Sequence, residues 1–411
     1  MPHLIGKFSG RKPIEDYSPS VDGVFAGWLH CRQHVWILRD QTGHLELPRN
    51  SFLEAPECDG NYWAVLKKKG SSWRYLLCQT LTTPSPYGGD DRQFKAQKDR
   101  FEIIEAIRQF FRKQGFQDVD TPIQVPCPGL EAYLDAFSSG NKHLRTSPEL
   151  HMKRLLCSGW DRIFQIAPSF RDEPESNLHR QEFLMLEWYR SFSDLEQLII
   201  DIRKLLHHLA PFSKEPEYFK RGIQLWTMTQ LFETKTGIDL RNHNSESEIR
   251  QFLSREKIHH CDSDTWDDLF FRVFLNVIEP SLGDQRPEII MDYPASQSAL
   301  AKINPKKEGH YQSCYRFELF MKGIECANAF YELCDPVEQQ SRFDQARMER
   351  MKNGKEPFPP DVSFMEALQA GMPPSAGIAL GVDRLIMLLL EKNHIDSISP
   401  FNVIPEPETD R

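Results

Sequence analysis

Two runs of alternating residues, 162–173 and 182–189, limit the folds that are open to this chain. A polar loop through His179 separates them, and this pattern predicts an antiparallel hairpin. Because side chains alternate between the two faces of a strand, one face is apolar. It carries Phe164, Ile166, Pro168, Phe170, Leu184, Leu186 and Trp188. We expect this face to pack against helices.

The opposite face of the hairpin is mainly polar. It carries Gln165, Ser169, Arg171, Glu173, Phe183, Met185, Glu187 and Tyr189. Such a face is poorly suited to a core, because buried charges need partners. It suits a charged ligand that also contains an aromatic ring, and the alternative is an ordinary hairpin with one face in water.

A second hairpin is predicted over residues 315–333, with its turn at a Lys-Gly pair. On the return strand Asn328, Phe330 and Glu332 share one face by alternation. Glu325 has the opposite parity. A β-bulge between Glu325 and Asn328 would bring Glu325 to the same face.

Two carboxylates of this second hairpin, Glu318 and Glu325, are candidate ligands of Mg²⁺. This ion takes one or two carboxylates together with phosphate oxygens and water. The alternative is that both are surface carboxylates, which is the usual place for glutamate.

Residues 375–390 predict a strand of small residues that runs into an apolar helix. Arg384 falls in the first turn of that helix, where the macrodipole disfavours a cation. We therefore expect a ligand to require it. A guanidinium can stack on an aromatic base and also bind phosphate oxygens, which a lysine does less well.

The chain is predicted to form two domains, residues 1–90 and 91–411. Short alternating strands and turns over residues 21–79 indicate a small β-barrel or sandwich. A turn-rich, apolar-poor stretch at 82–91 then predicts a linker. Apolar residues at helical spacing over 101–111, before Gly115, predict a long helix. The fold class expected for the second domain is α+β.

Composition excludes several classes of protein. The 411 residues include 50 Lys and Arg against 59 Asp and Glu, a net charge of −9. A nucleic-acid-binding domain commonly has a pI above about 9, so tRNA is disfavoured as a partner. No stretch approaches ~18 uninterrupted apolar residues, and no leader follows Met1, so we expect a cytoplasmic protein without a membrane span. Nine scattered Cys without a C-x-x-C pair indicate reduced thiols.

Taken together, the two hairpins and the strand-helix segment resemble motifs two and three of class II aminoacyl-tRNA synthetases. A helix and strand ending at Pro122 are similar to motif one. The resemblance covers roughly residues 96–403, and three ordered motifs make chance agreement improbable. Within the class it is to lysyl-tRNA synthetases and, more closely, to their paralogues, the elongation factor P–(R)-β-lysine ligases. Segments 146–156, 293–297 and 377–384 are nearer to the ligases.

This resemblance implies a class II antiparallel sheet flanked by helices, a homodimer, and ATP with Mg²⁺ as cofactors. At the nucleotide end, Arg171 would bind the α-phosphate and the amino-acid carboxylate. The other implied ATP ligands are Glu173 at the adenine amino group, His179 at the distal phosphates, Phe183 and Arg384 on either side of the adenine, and Glu318. Arg171 and Arg384 are the implied catalytic residues, with Glu318 and Glu325 at the metal.

At the amino-acid end, the resemblance implies a site for lysine or (R)-β-lysine. Its residues would be Glu149 at the backbone-side ammonium, Glu187, Tyr189 and Glu332 at the side-chain ammonium, Asn328 at the carboxylate and Ala379 on the floor. Lysyl-tRNA synthetases generally have Gly at the position of Ala379. A doubly cationic substrate needs carboxylates, whereas a triphosphate needs Arg and His groups.

The N-terminal domain resembles a truncated OB-fold anticodon module over residues 24–43. OB-folds bind single strands with stacking aromatics. The stacking residues would be four tryptophans, Trp28, Trp36, Trp63 and Trp73. The alternative is that most of them are core residues. The ligases generally lack such a domain.

Three functions follow from these patterns. The first is ATP-dependent activation of (R)-β-lysine or lysine and its transfer to a lysine side chain of elongation factor P. The second is a lysyl-tRNA synthetase, which would need a working anticodon module. The third is an inactive synthetase-like binding or regulatory protein, which the presence of Arg171, Glu173 and Arg384 disfavours.

Overall fold

The computed structural model describes residues 12, 14–20, 22–32, 35–40, 43–48, 51–52, 61–80, 91–129, 131, 133–243 and 245–399. The chain divides into two compact units, Met1–Lys98 and Asp99–Arg411. Their boundary falls within the long helix α1 (Asp91–Lys113). Residues 82–90 of the predicted linker lie outside the described residues, and the predicted domain boundary after residue 90 stays a prediction.

The first unit contains an antiparallel sheet. Its strands are β1 (Gly23–Arg32), β2 (Val35–Asp40), β3 (Gly43–Pro48), β4 (Asn61–Lys69) and β5 (Ser72–Thr80). They pair in the order β3-β2-β1-β4-β5. Trp36 and Trp73 are buried in the core of this unit, as the alternative interpretation expects. The side chains of Trp28 and Trp63 lie outside the described part of the chain.

The predicted barrel is not confirmed. Within the described residues the edge strands β3 and β5 do not pair, so the sheet is open. A parallel bridge between Phe52 and Trp73 brings the chain after β3 beside β5. Alternation in the sequence predicts strands and their faces, but it does not determine whether the two edges of a sheet meet.

The second unit contains thirteen strands in its described residues. They are β6 (Gln117–Asp118), β7 (Gln124–Val125), β8 (Ser138–Ser139), β9 (Lys142–Leu144), β10 (Arg162–Phe170), β11 (Glu182–Ser191), β12 (Gln224–Thr227), β13 (Glu288–Met291), β14 (Ile303–Glu308), β15 (Tyr311–Cys314), β16 (Arg316–Met321), β17 (Ile324–Tyr331) and β18 (Ser375–Gly381). Eight of them form the main sheet, in the order β12-β13-β16-β17-β18-β11-β10-β6. Strands β7, β9 and β8 form one small sheet, and β14 and β15 form another.

The main sheet is mixed, which corrects the prediction of an antiparallel sheet. The two outermost pairs, β12 with β13 and β6 with β10, are parallel, and the inner pairs are antiparallel. Parallel pairing requires a long crossover. The chain leaves β6 and β12 and returns to the neighbouring strand only after helices, so both edges are parallel. The two predicted hairpins are the antiparallel pairs β10 with β11 and β16 with β17.

Helices flank the main sheet. After α1 they are α2 (Glu149–Cys157), α3 (Leu195–Leu209), α4 (Pro216–Lys220), α5 (Met228–Thr236), α6 (Ser245–Arg255), α7 (Trp266–Val273), α8 (Pro336–Lys352), α9 (Val362–Ala370) and α10 (Val382–Leu389). Among the described residues, no helix combines the length and the apolar character that a membrane span needs.

Helix α1 ends as its sequence predicts. Gly115 has a φ of +78°, and the N–H of Phe116 donates to the carbonyl of Phe111 at 3.1 Å. A positive φ costs glycine little, and this pair of features is typical of helix ends. The chain can therefore turn back into β6.

The apolar face of the first hairpin packs as predicted. Phe164 and Trp188 are buried with Ile107 of α1, Ile202 of α3 and Leu385 of α10 in one core cluster. Burying a large apolar side chain contributes about 1.5–3 kcal/mol. Because the apolar face packs the sheet against the helices, the polar face of the hairpin is not needed for this packing and can line a site.

Candidate active site

The polar face of β11, β17 and β18 lines a cavity of about 490 Å³ in the second unit. Ten of the residues that the sequence predicts for the site line it: Glu149, Arg171, Glu173, His179, Phe183, Glu187, Glu325, Asn328, Ala379 and Arg384. Three further predicted residues are not part of this lining: Tyr189 donates to Glu187, Glu318 accepts from Arg316, and Glu332 pairs with Lys153. Segments far apart in sequence thus meet at one site.

Strand register brings the floor of the cavity together. Ala379 on the central strand β18 is paired with Glu187 on β11 and with Asn328 on β17. Directly paired residues on neighbouring strands point to the same face of a sheet. The carboxylate of Glu187 and the amide of Asn328 therefore flank the methyl group of Ala379.

A β-bulge at Cys326 brings Glu325 to the cavity. Asn328 pairs with Glu318, but Phe320 pairs with Glu325, so Cys326 is the extra residue. The extra residue reverses the alternation that follows it. The bulge that the sequence analysis required is present, and Glu325 lines the same cavity as Asn328.

At one end of the cavity, a buried lysine joins two of the carboxylates. Lys153 Nζ lies 2.6 Å from Glu149 Oε1 and 2.6 Å from Glu332 Oε2. Burial raises the pKa of Glu332 to about 7, although Lys153 opposes the rise. Lys153 was not predicted as a site residue from the sequence. Lys153 lies four residues after Glu149 on α2, and this spacing places the two side chains on the same face of the helix. That spacing is the feature of the sequence that could have identified Lys153.

A third carboxylate, Glu187, completes this end of the cavity. Its Oε2 accepts a hydrogen bond of 2.9 Å from the Tyr189 hydroxyl. Burial holds the pKa of Glu187 well above its usual range, and Glu149 adds to the rise. With Glu149, Glu187 and Glu332 ionised, Lys153 balances one of three negative charges. The pocket therefore suits a cationic ligand.

The conformation of this end depends on Gly377 of β18. A Cβ on Gly377 would lie 2.2 Å from Tyr189 Cε1 and 2.4 Å from Glu332 Oε1. Real Cβ atoms do not approach other atoms so closely, because such contacts are repulsive. Only glycine lets Tyr189 and Glu332 occupy the space above β18.

At the other end of the cavity, Arg384 and His179 contact each other. Arg384 Nη2 lies 2.6 Å from His179 Nε2, and Nη1 donates to the carbonyl of Glu325 at 2.8 Å. Burial lowers the pKa of His179, and the charge of Arg384 lowers it further. The imidazole is therefore neutral, with Nε2 accepting from Arg384 and Nδ1–H donating to Ser176 Oγ at 2.9 Å.

Arg171 and Phe183 stand together on the polar face of the first hairpin. The Arg171 guanidinium carbon lies 5.3 Å from the centre of the Phe183 ring. Within the described residues, Arg171 Nε is buried and has no hydrogen-bond partner. A buried donor without a partner is costly. This guanidinium is therefore suited to binding an anionic ligand beside an aromatic ring.

Glu318 and Glu325 form a neighbouring pair, but Glu318 already has partners. It accepts a hydrogen bond of 2.5 Å from the Tyr293 hydroxyl and another from Arg316. Burial raises the pKa of Glu325 to about 7, and Glu318 contributes to the rise. Two carboxylates that repel each other fit a cation held mainly by phosphate oxygens and water. The described part of the chain contains no cluster of three or more metal-ligating side chains.

Arg316 also determines the orientation of Asn328. Its Nε donates to Asn328 Oδ1 at 3.1 Å, so the Asn328 amide nitrogen is available for a ligand. The sequence analysis did not predict Arg316 as a site residue. The alternation of β16 and β17 would have placed it near Asn328, since the two strands pair antiparallel.

A buried ion pair fixes the start of helix α10 beside the cavity. Arg100 of α1 donates to one oxygen of Asp383, and the other accepts from the Leu184 N–H at 2.7 Å. Asp383 thereby ties α10 to α1 and to β11, and this places Arg384. No local pattern could reveal this contact, because Arg100 and Asp383 are 283 positions apart.

Comparison with known proteins agrees with this geometry. Residues 90–404 match the family described as tRNA synthetases class II (D, K and N). The chain is 38% identical over 319 residues to an elongation factor P–(R)-β-lysine ligase of Vibrio vulnificus (strain YJ016), covering 74% of this chain and 94% of that protein. A protein of the same name from Haemophilus ducreyi (strain 35000HP / ATCC 700724) is 37% identical over 315 residues, covering 74% and 92%. A third, from Vibrio atlanticus (strain LGP32), is 38% identical over 322 residues, covering 75% and 95%.

Proposed function

The chain belongs to the class II tRNA synthetase family (D, K and N), and on this premise we propose that it is an ATP-dependent aminoacyl ligase. It activates (R)-β-lysine or lysine as the adenylate and transfers the aminoacyl group to a lysine side chain of elongation factor P. The observation that carries the proposal is a cavity with Glu149 and Glu187 at one end, where Lys153 joins Glu149 to Glu332, and with Arg171 and Arg384 at the other. A dication with a carboxylate fits between them.

The amino acid binds by charge. Its ammonium groups pair with Glu149, Glu187 and Glu332, and its carboxylate pairs with Arg171 and the Asn328 amide nitrogen. A charge-assisted hydrogen bond of this kind is roughly twice as strong as a neutral one. The carboxylate is thus directed toward the half of the cavity that holds Arg384.

In the first step a carboxylate oxygen attacks the α-phosphorus of ATP. A new C–O–P linkage forms, and the bond from phosphorus to pyrophosphate breaks. Arg171 and His179 bind the phosphates, and Phe183 and Arg384 stack on the two faces of the adenine. Positioning and charge neutralisation lower the barrier, so no protein nucleophile is needed. Mg²⁺ held by Glu318, Glu325 and phosphate oxygens would supply further neutralisation of charge.

In the second step the acceptor amine attacks the carbonyl carbon of the adenylate. An amide bond forms, AMP leaves, and the amine loses a proton. The acceptor is taken from the printed name of the relatives, elongation factor P. The protein would act in the cytoplasm, where its acceptor is made, and as a homodimer of the type that the motif-one-like segment implies.

The first unit favours a second candidate, a lysyl-tRNA synthetase. The family match begins at residue 90, and about three quarters of this chain covers more than nine tenths of each relative. The first unit therefore lies outside the region that this chain shares with these relatives. We propose that its open sheet is an OB-like module, and a module of that kind would contact a single strand.

One assay distinguishes these functions. Pyrophosphate exchange is measured with lysine and with (R)-β-lysine, and the adenylate is then offered to elongation factor P and to tRNA. We expect exchange with at least one isomer and transfer to elongation factor P. Transfer to tRNA alone would identify a lysyl-tRNA synthetase. Absence of exchange with both isomers would identify an inactive synthetase-like protein.

A further inference from the structure

Lys153 is a buried cation that has no part in the mechanism described above. It lies on α2, and both its side chain and that of Glu332 are 1% exposed. A lysine is almost never fully buried unless it is paired. Burial alone would lower the pKa of Lys153, but Glu149 and Glu332 outweigh burial and hold the pKa above its usual range. The ammonium is therefore charged inside the pocket.

Each of the two carboxylates that pair with Lys153 binds it through one oxygen. Glu149 contributes Oε1, and Glu332 contributes Oε2. The second oxygen of Glu332, Oε1, is buried and has no partner within the described residues. It occupies the space that the missing Cβ of Gly377 leaves open. Lys153 thus holds one oxygen of Glu332, and the other packs over Gly377 beside Tyr189.

The charges of the pocket follow from this arrangement. Three carboxylates, Glu149, Glu187 and Glu332, face one ammonium, so two negative charges remain unbalanced when all are ionised. Lysine and β-lysine carry two ammonium groups. The two ammonium groups would balance these two charges, the substrate carboxylate would pair with Arg171, and Glu131, which also lines the cavity, lies within the influence of Arg171. Such balance matters most where water is excluded.

We propose that Lys153 is a resident counter-ion and a positioning residue of the amino-acid pocket. It pairs with Glu149 and Glu332, and it fixes the position of the Glu332 carboxylate above Gly377 beside the cavity. The inference rests on the proposed function, because the substrate supplies the remaining positive charge.

The test removes the cation and then replaces it. Lys153→Ala deletes three carbons and the nitrogen, which propylammonium matches in size. We expect the KM for the amino acid to rise about 100-fold or more, because one partner of a buried charge pair is lost. The KM for ATP should change less than about threefold, since the nucleotide end is untouched. Propylammonium should recover at least about tenfold of the lost kcat/KM, and propan-1-ol should not.

Lys113→Ala is the matched control. Lys113 is an exposed lysine in the last turn of α1, so its removal should leave both KM values unchanged. The proposal is overturned if Lys153→Ala keeps its KM within threefold of the parent. It is also overturned if propan-1-ol restores activity as well as propylammonium does, because packing alone would then explain the role.

A second pair of variants tests the proposal without activity. Lys153→Met leaves two buried carboxylates without their counter-ion, whereas Lys153→Met/Glu332→Gln removes one charge of each sign. The double variant should have the higher melting temperature of the two. Equal or lower stability of the double variant would refute the counter-ion role, even if the single variant does not fold. If the parent fails to activate either lysine isomer, the proposed function fails, but this comparison of stability still decides the role of Lys153.

Discussion

At the scale of single residues, the site depends on glycine as much as on charge. Gly377 is paired with Tyr189 on one side and with Phe330 on the other, in the middle of the main sheet. Glycine within a strand usually weakens it, so a glycine here needs a reason. The reason is the space above β18, which Tyr189 and Glu332 fill.

Gly377→Ala is expected to displace Tyr189 and Glu332. Overpacking of this kind costs about 1–3 kcal/mol of the free energy of unfolding. The KM for the amino acid should rise at least tenfold, roughly the effect of one misplaced methyl group. Urea unfolding and exchange kinetics measure the two effects.

The control for this variant is Gly381→Ala on the same strand. Its nearest contact would be Arg384 Cδ at 3.6 Å, an ordinary van der Waals distance. The control should lose little stability. If both variants behave alike, the space above Gly377 is not what the site requires.

The acidity of the pocket predicts a dependence on pH. Burial raises the pKa of Glu332 to about 7. A bound ammonium group would lower it, because an opposite charge favours the ionised carboxylate. Substrate binding therefore releases a proton below this pH, and the KM for the amino acid rises as pH falls, by up to about tenfold per unit. The pH profile of KM on either side of neutrality measures this rise.

Glu332→Gln should flatten the profile while raising KM at every pH. Glu182→Gln, at the exposed start of β11, should leave the profile unchanged. A parent KM that stays constant as pH falls would contradict the assignment of Glu332 to the substrate.

Ala379 is expected to select between the lysine isomers. Its methyl group lies between Glu187 and Asn328 on the floor of the cavity. β-Lysine carries its amino group one carbon further from the carboxylate, so the methyl would exclude the α-isomer only. Ala379→Gly should raise kcat/KM for lysine relative to (R)-β-lysine by at least about tenfold. An unchanged ratio would make Ala379 a packing residue.

At the scale of elements, the position of α10 decides where Arg384 lies. The helix begins directly after β18, and Asp383 binds both Arg100 of α1 and the backbone of β11. Three elements thus meet at one carboxylate. Arg384, which we propose to be catalytic, follows Asp383 by one residue, so any shift of α10 would move it.

Arg100→Met should therefore destabilise the protein. Breaking a buried ion pair from one side costs about 3–5 kcal/mol. Arg112→Met on the same helix is the control, because Arg112 is 55% exposed and pairs with Asp118 at the surface. An exposed pair contributes about 0–1 kcal/mol. Chemical unfolding compares the two, and equal losses would show that the buried pair does not hold α10.

At the scale of the whole molecule, all the candidate site residues lie in the second unit. Removing residues 1–90 should leave adenylate formation largely intact, because α1 and its core contacts remain. Removing residues 1–107 should instead give insoluble protein, because Ile103 and Ile107 belong to the main core. Solubility and exchange rate measure both outcomes. A folded but inactive 91–411 fragment would show that the first unit completes the site.

The sequence by itself determined the two hairpins, their faces, the helix that ends before Gly115 and ten of the residues that line the cavity. The hairpins, their faces and the helix follow from alternation and helical spacing, which are local properties. Glu149, His179 and Ala379 were instead expected from the resemblance to class II synthetases. The bulge before Asn328 was only a condition for Glu325 to share the face of Asn328, and the strand pairing of the structure meets that condition.

Only the tertiary structure decided the parallel edges of the main sheet, the open edges of the first sheet and the contacts of Lys153, Gly377 and Asp383. Each of these depends on the distance between segments that are far apart along the chain. A buried lysine has the same local pattern as an exposed one at i, i+4 from a glutamate. Whether Lys153 is buried or exposed depends on whether Glu332, from a distant part of the chain, lies close enough to pair with it.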